Sequence, residues 1–309
     1  MLRQIATRLA TGLLVLWLAA SAAFLTIHAL PGRIEDILAG DLSYPGLREA
    51  IAAQWGLDRS LPVQYGRFLL RLAQGDLGTS FVMQQPVAAV LLGQLWPTVQ
   101  LAGSAALLAM LLALIAAAAT AGAHDTHGAW PRRLASATEL TFTSMPVFWL
   151  GMLLLIAFSF HLRWFPVSGG GGWRALVLPA VTLALPTAGV LAQVMREALD
   201  EAFERPFVTT VRARGVSAFG LRVRHLLRHA LVPVVTLGGW LVGGLLGGAV
   251  ITEKMFGRPG LGSVTLDAVT SQDVPVVLAV VLLAAFVHVA ISTLLDIAYL
   301  FIDPRLRKS

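Results

Sequence analysis

Hydrophobic residues in this chain gather into long runs almost free of charge, separated by polar stretches. Residues 9–30, 95–123, 175–195 and 230–252 contain no Asp, Glu, Lys or Arg; residues 134–160 contain only Glu139, and 274–302 only Asp296. A hydrocarbon core ~30 Å thick needs about 20 apolar residues in a helix, and each run meets that length. The runs are continuous rather than alternating, which selects helices over barrel strands. The pattern predicts an all-α integral membrane protein of about six transmembrane helices. Arg3 and Arg8 before the first run, with small residues at 20–22, resemble a signal peptide. The apolar run exceeds the ~7–15 residues of a secretory segment, so it is expected to stay as a helix.

Composition agrees: 57% of the 309 residues are hydrophobic and 13% are charged, against roughly 25% charged in soluble domains. The net charge of +6 raises the question of nucleic acid or membrane as partner. With both termini cytoplasmic, the inner segments (the N-terminus, 124–133, 196–229 and the tail from 303) hold 14 Lys and Arg, and the outer ones (31–94, 161–174, 253–273) hold 9. That is the distribution expected of a multi-pass protein of the bacterial inner membrane, whose basic residues face the cytoplasm and its anionic lipid. No nucleic-acid module is legible.

Two segments exceed simple connectors. Residues 31–94 form an external region between helices 1 and 2, with turn signals at Pro31-Gly32, Tyr44-Pro45-Gly46 and Leu61-Pro62. Trp55, Tyr65, Phe68, Leu69 and Leu72 are its apolar anchors, the last four at helical spacing. The expected division is 1–94, a first span plus this region, and 95–309, a five-helix core. Within the core, the cytoplasmic segment 196–229 holds seven arginines. Pro206 can open a short helix there, and Gly215 can close it in a left-handed turn. Ser217 can cap a second helix, whose arginines touch either lipid phosphates or a partner protein.

Catalytic chemistry is poorly represented. There is no cysteine, hence no disulfide or thiolate site. Neither lysine, Lys254 or Lys308, follows a glycine as a phosphate-binding loop requires. His-Glu-x-x-His and Gly-x-Ser-x-Gly are absent. His225 and His229 stand four residues apart, but two ligands among arginines make a poor metal site. His28 is expected at the outer interface, His161 at a span end and His288 within a span, packed or in a pathway. Asp296, near the cytoplasmic end of the last span, is expected to pair with a basic group such as Arg305 or with a partner chain. Gly239, Gly243 and Gly247 mark the fifth span for close helix packing or for a pathway surface. Pro179 and Pro186 suggest a bend in the fourth.

A resemblance to a known family rests on motifs in order along nearly the whole chain. These include Ala29-Leu30-Pro31-Gly32, Gly56-Leu57-Asp58-Arg59, Gly75-Asp76-Leu77-Gly78-Thr79-Ser80 and Pro146-Val147-Phe148-Trp149-Leu150-Gly151. Arg212-Ala213-Arg214-Gly215, Phe256-Gly257-Arg258-Pro259-Gly260-Leu261-Gly262, Asp273-Val274-Pro275 and Asp303-Pro304-Arg305 follow. Together they resemble permease subunits of binding-protein-dependent ABC importers of the dipeptide, oligopeptide and nickel family. The resemblance implies the type I importer fold and a coupling loop at 196–229. It assigns ATPase contact to Thr210, Arg212, Ala213, Arg214, Gly215 and His225. Val211 departs from the alanine usual in relatives. It further implies a second, paralogous permease, one or two ATP-binding subunits carrying ATP and Mg, and an external substrate-binding protein, with no cofactor on this chain. The alternative from another class is a secondary transporter driven by an ion gradient, for which inverted repeats and an ion-ligand cluster would be expected.

Overall fold

The computed structural model describes residues 2–29, 35–36, 46–57, 59–80, 82–122, 129–169, 171–217 and 220–302. Its helices are α1 (Leu2–Ala29), α2 (Leu47–Trp55), α3 (Leu61–Ala73), α4 (Val87–Thr120), α5 (Ala129–Ser144), α6 (Val147–Leu154), α7 (Arg174–Phe203), α8 (Phe207–Ala213), α9 (Leu227–Met255), α10 (Leu261–Thr270) and α11 (Val274–Ile302). A two-residue hairpin, β1 (Thr79–Ser80) against β2 (Gln85–Pro86), is antiparallel with Thr79 opposite Pro86. Ala6–Ala29, Val87–Thr120, Arg174–Phe203 and Val274–Leu295 are each long and apolar enough to cross a bilayer. The 29-residue α9 carries the run expected for the fifth span.

The remaining expected span is not straight. Residues 134–160 divide into α5 and α6, with a bend of 106° between Trp130–Ser144 and Val147–His161. Pro146 is the reason. It has no N–H for the carbonyl of Phe142 and sits extended at ψ 135, while its own carbonyl accepts from the N–H groups of Trp149 and Leu150. One helix therefore ends and another begins within two residues. Beyond Leu154, α6 widens into an i→i+5 turn over Leu155–His161.

The chain forms two compact units, residues 1–98 with 259–297, and residues 99–258 with the C-terminal residues from 298. In the first, α3 lies along α1. The Ser21 and Tyr65 hydroxyls are 2.6 Å apart, and Phe24 meets the rings of Tyr65 and Phe68 at 5.3 and 5.6 Å. Tyr65 and Phe68 thus act as the anchors their spacing predicts; the Trp55 side chain lies outside the described residues. His28 does not simply point to water: its Nε2 is 3.0 Å from Gln64 Oε1 and its Nδ1 is 2.8 Å from the Phe24 carbonyl. After α3, the Asp76 carboxylate accepts from the Gly78 N–H and from Arg71 Nε. The hairpin then reaches α11 through the Ser80 hydroxyl, which donates to the buried carboxylate of Asp273. Below it, Val87 and Leu91 of α4 pack with Ala268, Val276 and Ala279.

In the second unit, α7 is the most buried span. Ala105, Ala109, Ala113 and Ala117 of α4 are fully buried at four-residue spacing, in one cluster with Leu183, Leu191, Met195 and Leu199 of α7. α7 continues through Pro179 and Pro186. Pro179 leaves the Ala175 carbonyl without its usual helical donor, and Arg258 supplies one, Nη1 to O at 3.3 Å. Helices α5 and α7 approach closely at Gly189, where a Cβ would stand 2.9 Å from the Glu139 carbonyl oxygen.

Candidate functional site: the segment after α7

The segment expected to begin at residue 196 begins later, because α7 runs to Phe203. Arg196 is a buried helix residue rather than a loop cation. Its Nη2 donates to Glu139 Oε1, its Nε to the Thr120 hydroxyl at 2.7 Å and its Nη1 to the Ser136 hydroxyl at 3.0 Å. Glu139, the lone acid of its apolar run, is the acceptor in a buried ion pair. One turn further on, Asp200 accepts from the Gly122 N–H at 2.8 Å and pairs with Arg132 at 2.8 Å. The ends of α4 and α5 are thereby tied to the last turns of α7, immediately before the segment of interest.

Glu204 and Arg205 lead to Pro206, which caps α8, one residue from where the sequence places it. Val208 is buried, and Phe207 and Val211 pack against the unit's core. Thr209, Thr210, Arg212, Ala213 and Arg214 are exposed. Seven residues rich in β-branched side chains would not hold a helix in isolation; their inward face supplies the support. Val211 therefore directs its extra bulk into its own chain, away from the exposed face. Gly215 closes the helix at φ 77, its N–H donating to the Arg212 carbonyl at 2.9 Å, as a left-handed terminator should.

Ser217 Oγ accepts from the Gly220 N–H at 3.1 Å. The expected second helix is not separate, however. Leu221–Leu226 forms an i→i+5 turn that continues directly into α9. Leu221 and Leu226 are fully buried, and His225, between them, is half-exposed. The segment is thus a short two-faced helix and a tight turn, clamped between two long spans, with an outward surface of Thr210, Arg212, Ala213, Arg214 and Gly215.

The other sequence-selected residues fall elsewhere. Gly243 and Gly247 are exposed, and a Cβ at either would meet nothing within 4 Å. Among the described residues they pack against no other helix, in contrast to Gly189. The surroundings of Gly239 and the Asp296 side chain lie outside the described residues, as does the proposed partner Arg305. His161 and His288 are exposed. Among the described residues no group of three His, Cys, Asp or Glu is placed to hold a metal.

Residues 109–308 match the family described as binding-protein-dependent transport system inner membrane component, and residues 1–102 match its N-terminal membrane component. The chain belongs to this family. It is an ABC importer permease, a multi-pass inner-membrane protein that forms the pore. This permease is 35% identical over 307 residues to the glutathione transport system permease protein GsiC of Salmonella paratyphi A. It is 34% identical to the protein of that name in Escherichia coli K12, and both alignments cover 99% of each chain. Membership makes ATP, not an ion gradient, the energy source, and implies ATPase and substrate-binding partners.

Proposed function

We propose that this permease is one half of a passage for glutathione-sized peptides or related small solutes, the other half being a second, paralogous permease chain. Full-length similarity to a glutathione permease carries the substrate class. In this reading Thr210, Arg212, Ala213, Arg214, Gly215 and His225 form the surface on which one of one or two ATP-binding subunits docks, with ATP and Mg held on those subunits. The exposed outer face of α8, in the chain between the long helices α7 and α9, supports the assignment. Both termini lie in the cytoplasm, which follows from the excess of Lys and Arg on that side. Residues 1–94 supply a first span and an external region that seats the substrate-binding protein; residues 95–309 supply the core. Gly239, Gly243, Gly247 and Asp296 are proposed for the pathway or for the contact with the second permease. The nucleotide can shift inward-open against outward-open states only by its differential affinity for them.

Uptake of labelled glutathione and of a labelled dipeptide, in cells lacking their own systems and supplied with the full operon, tests the substrate. Accumulation of either cargo that needs both the binding protein and the ATPase is expected. Accumulation of neither, with the complex assembled, overturns the substrate class. In the same assay Arg214→Glu should abolish receptor-stimulated ATP hydrolysis while leaving the chain in the membrane.

A further inference from the structure

A site of another kind lies in the first unit, between α1, α3 and α11. Two cavities adjoin there, sharing Leu72, Leu77, Ala279 and Leu282. One, of about 300 Å³, is rimmed by Arg67, Arg71, Asp76 and Gln64. The other, of about 530 Å³, is apolar and walled by Leu13, Trp17 and Phe286. The charged rim meets α1 at Phe24 and α11 at Pro275, within the last turns of one span and the first turn of the other. That is the level of lipid headgroups. From Pro275 to Phe286 the trough descends eleven residues, roughly 16 Å at 1.5 Å per residue, into the hydrocarbon.

The charges on the rim are unequal. Arg71 Nε is 2.8 Å from Asp76 Oδ2, and the Gly78 N–H, together with Arg71, holds the Asp76 carboxyl below its usual range. That pair is internally neutral. Arg67 is exposed, and among the described residues it has neither an ion pair nor a hydrogen bond. Its guanidinium rests over Gly56, where a Cβ would stand 2.8 Å from Nη1. Leu70, on the same helix, is 58% exposed. An amphipathic helix with exposed leucine, an uncompensated arginine and an apolar trough beneath it has the character of an interfacial lipid-binding helix.

We propose that this site holds one anionic glycerophospholipid, its phosphate on Arg67 at the rim and an acyl chain in the trough along α1 and α11. The net positive rim favours phosphatidylglycerol over zwitterionic lipid, and the depth of the trough demands an acyl chain rather than a soluble phosphate ester. The lipid fills the gap between α3 and the two spans and fixes the height of the external region over the bilayer.

Native mass spectrometry of the assembled transporter, delipidated and titrated with phosphatidylglycerol or phosphatidylcholine, tests this. At one site per copy of this chain the wild type should bind phosphatidylglycerol more tightly than Arg67→Ala, with Arg67→Lys retaining the tighter binding. Affinity at that site should fall roughly fivefold in Arg67→Ala, the effect of removing one basic group at a lipid surface. Ala73→Phe, which enters the trough from its exposed side, should lower occupancy while Arg67 remains. Equal occupancy in wild type and Arg67→Ala, or no preference over phosphatidylcholine, overturns the proposal. So does displacement by glycerol phosphate as efficient as by the lipid. The readout is independent of transport, so failed uptake in the earlier test leaves it intact.

Discussion

Arg196 and Glu139 show how a residue's setting reverses its reading. In sequence the first looks like a cytoplasmic loop cation and the second like an isolated acid in lipid; in the fold each is the other's reason for being tolerated there. Removing one partner leaves a buried charge, so Arg196→Ala or Glu139→Gln should cost about 3–5 kcal/mol, and replacing both by Met and Leu much less. Thermal unfolding of the detergent-solubilised chain measures both. Asp273 makes a pH-dependent case. Burial pushes its carboxyl above the ordinary 3.8, against the pull of the Ser80 hydroxyl and the Val276 N–H. The folded chain then binds a proton that the unfolded chain has released, so stability rises as pH falls toward 3.8 and is lost as pH rises through the folded value. Asp273→Asn keeps an acceptor for Ser80 but cannot titrate. Its melting temperature should differ less between pH 3.8 and pH 8 than that of the wild type.

Helix α8 is held by one face on its own core and leaves the other to the exterior. Gly215 sets where it stops. Ala at φ 77 costs about 1–2 kcal/mol, with open space around it, so Gly215→Ala should strain the turn without blocking contact. Receptor-stimulated ATP hydrolysis should fall several-fold while co-purification of the ATPase subunit persists. Much of this element is legible in the sequence: Pro206 and Gly215 are local signals, and each sits at or within one residue of its expected place. The bend at Pro146 is not, because the apolar run 147–160 reads the same whether the chain is straight or folded back. Spacing marks Gly243 and Gly247 for close approach, yet among the described residues they meet no other helix while Gly189 does, since sequence cannot say which face of a span meets its own chain. The ion pairs of Arg196 and Asp200 were invisible because their partners lie 57 and 68 residues away in sequence.

For the molecule as a whole, membrane residence and family followed from charge-free runs and ordered motifs, and the chain's two compact units each combine segments distant in sequence. In the proposed reading a separate motor moves this passage through the exposed face of α8. The absence of cysteine makes a single introduced thiol unambiguous. Thr210→Cys should cross-link to a cysteine introduced on the ATPase subunit in inside-out vesicles, in a yield that changes with ATP, and should resist impermeant thiol reagents added to intact spheroplasts. Labelling of that thiol from outside the cell, with no cross-link to the ATPase, would contradict the account.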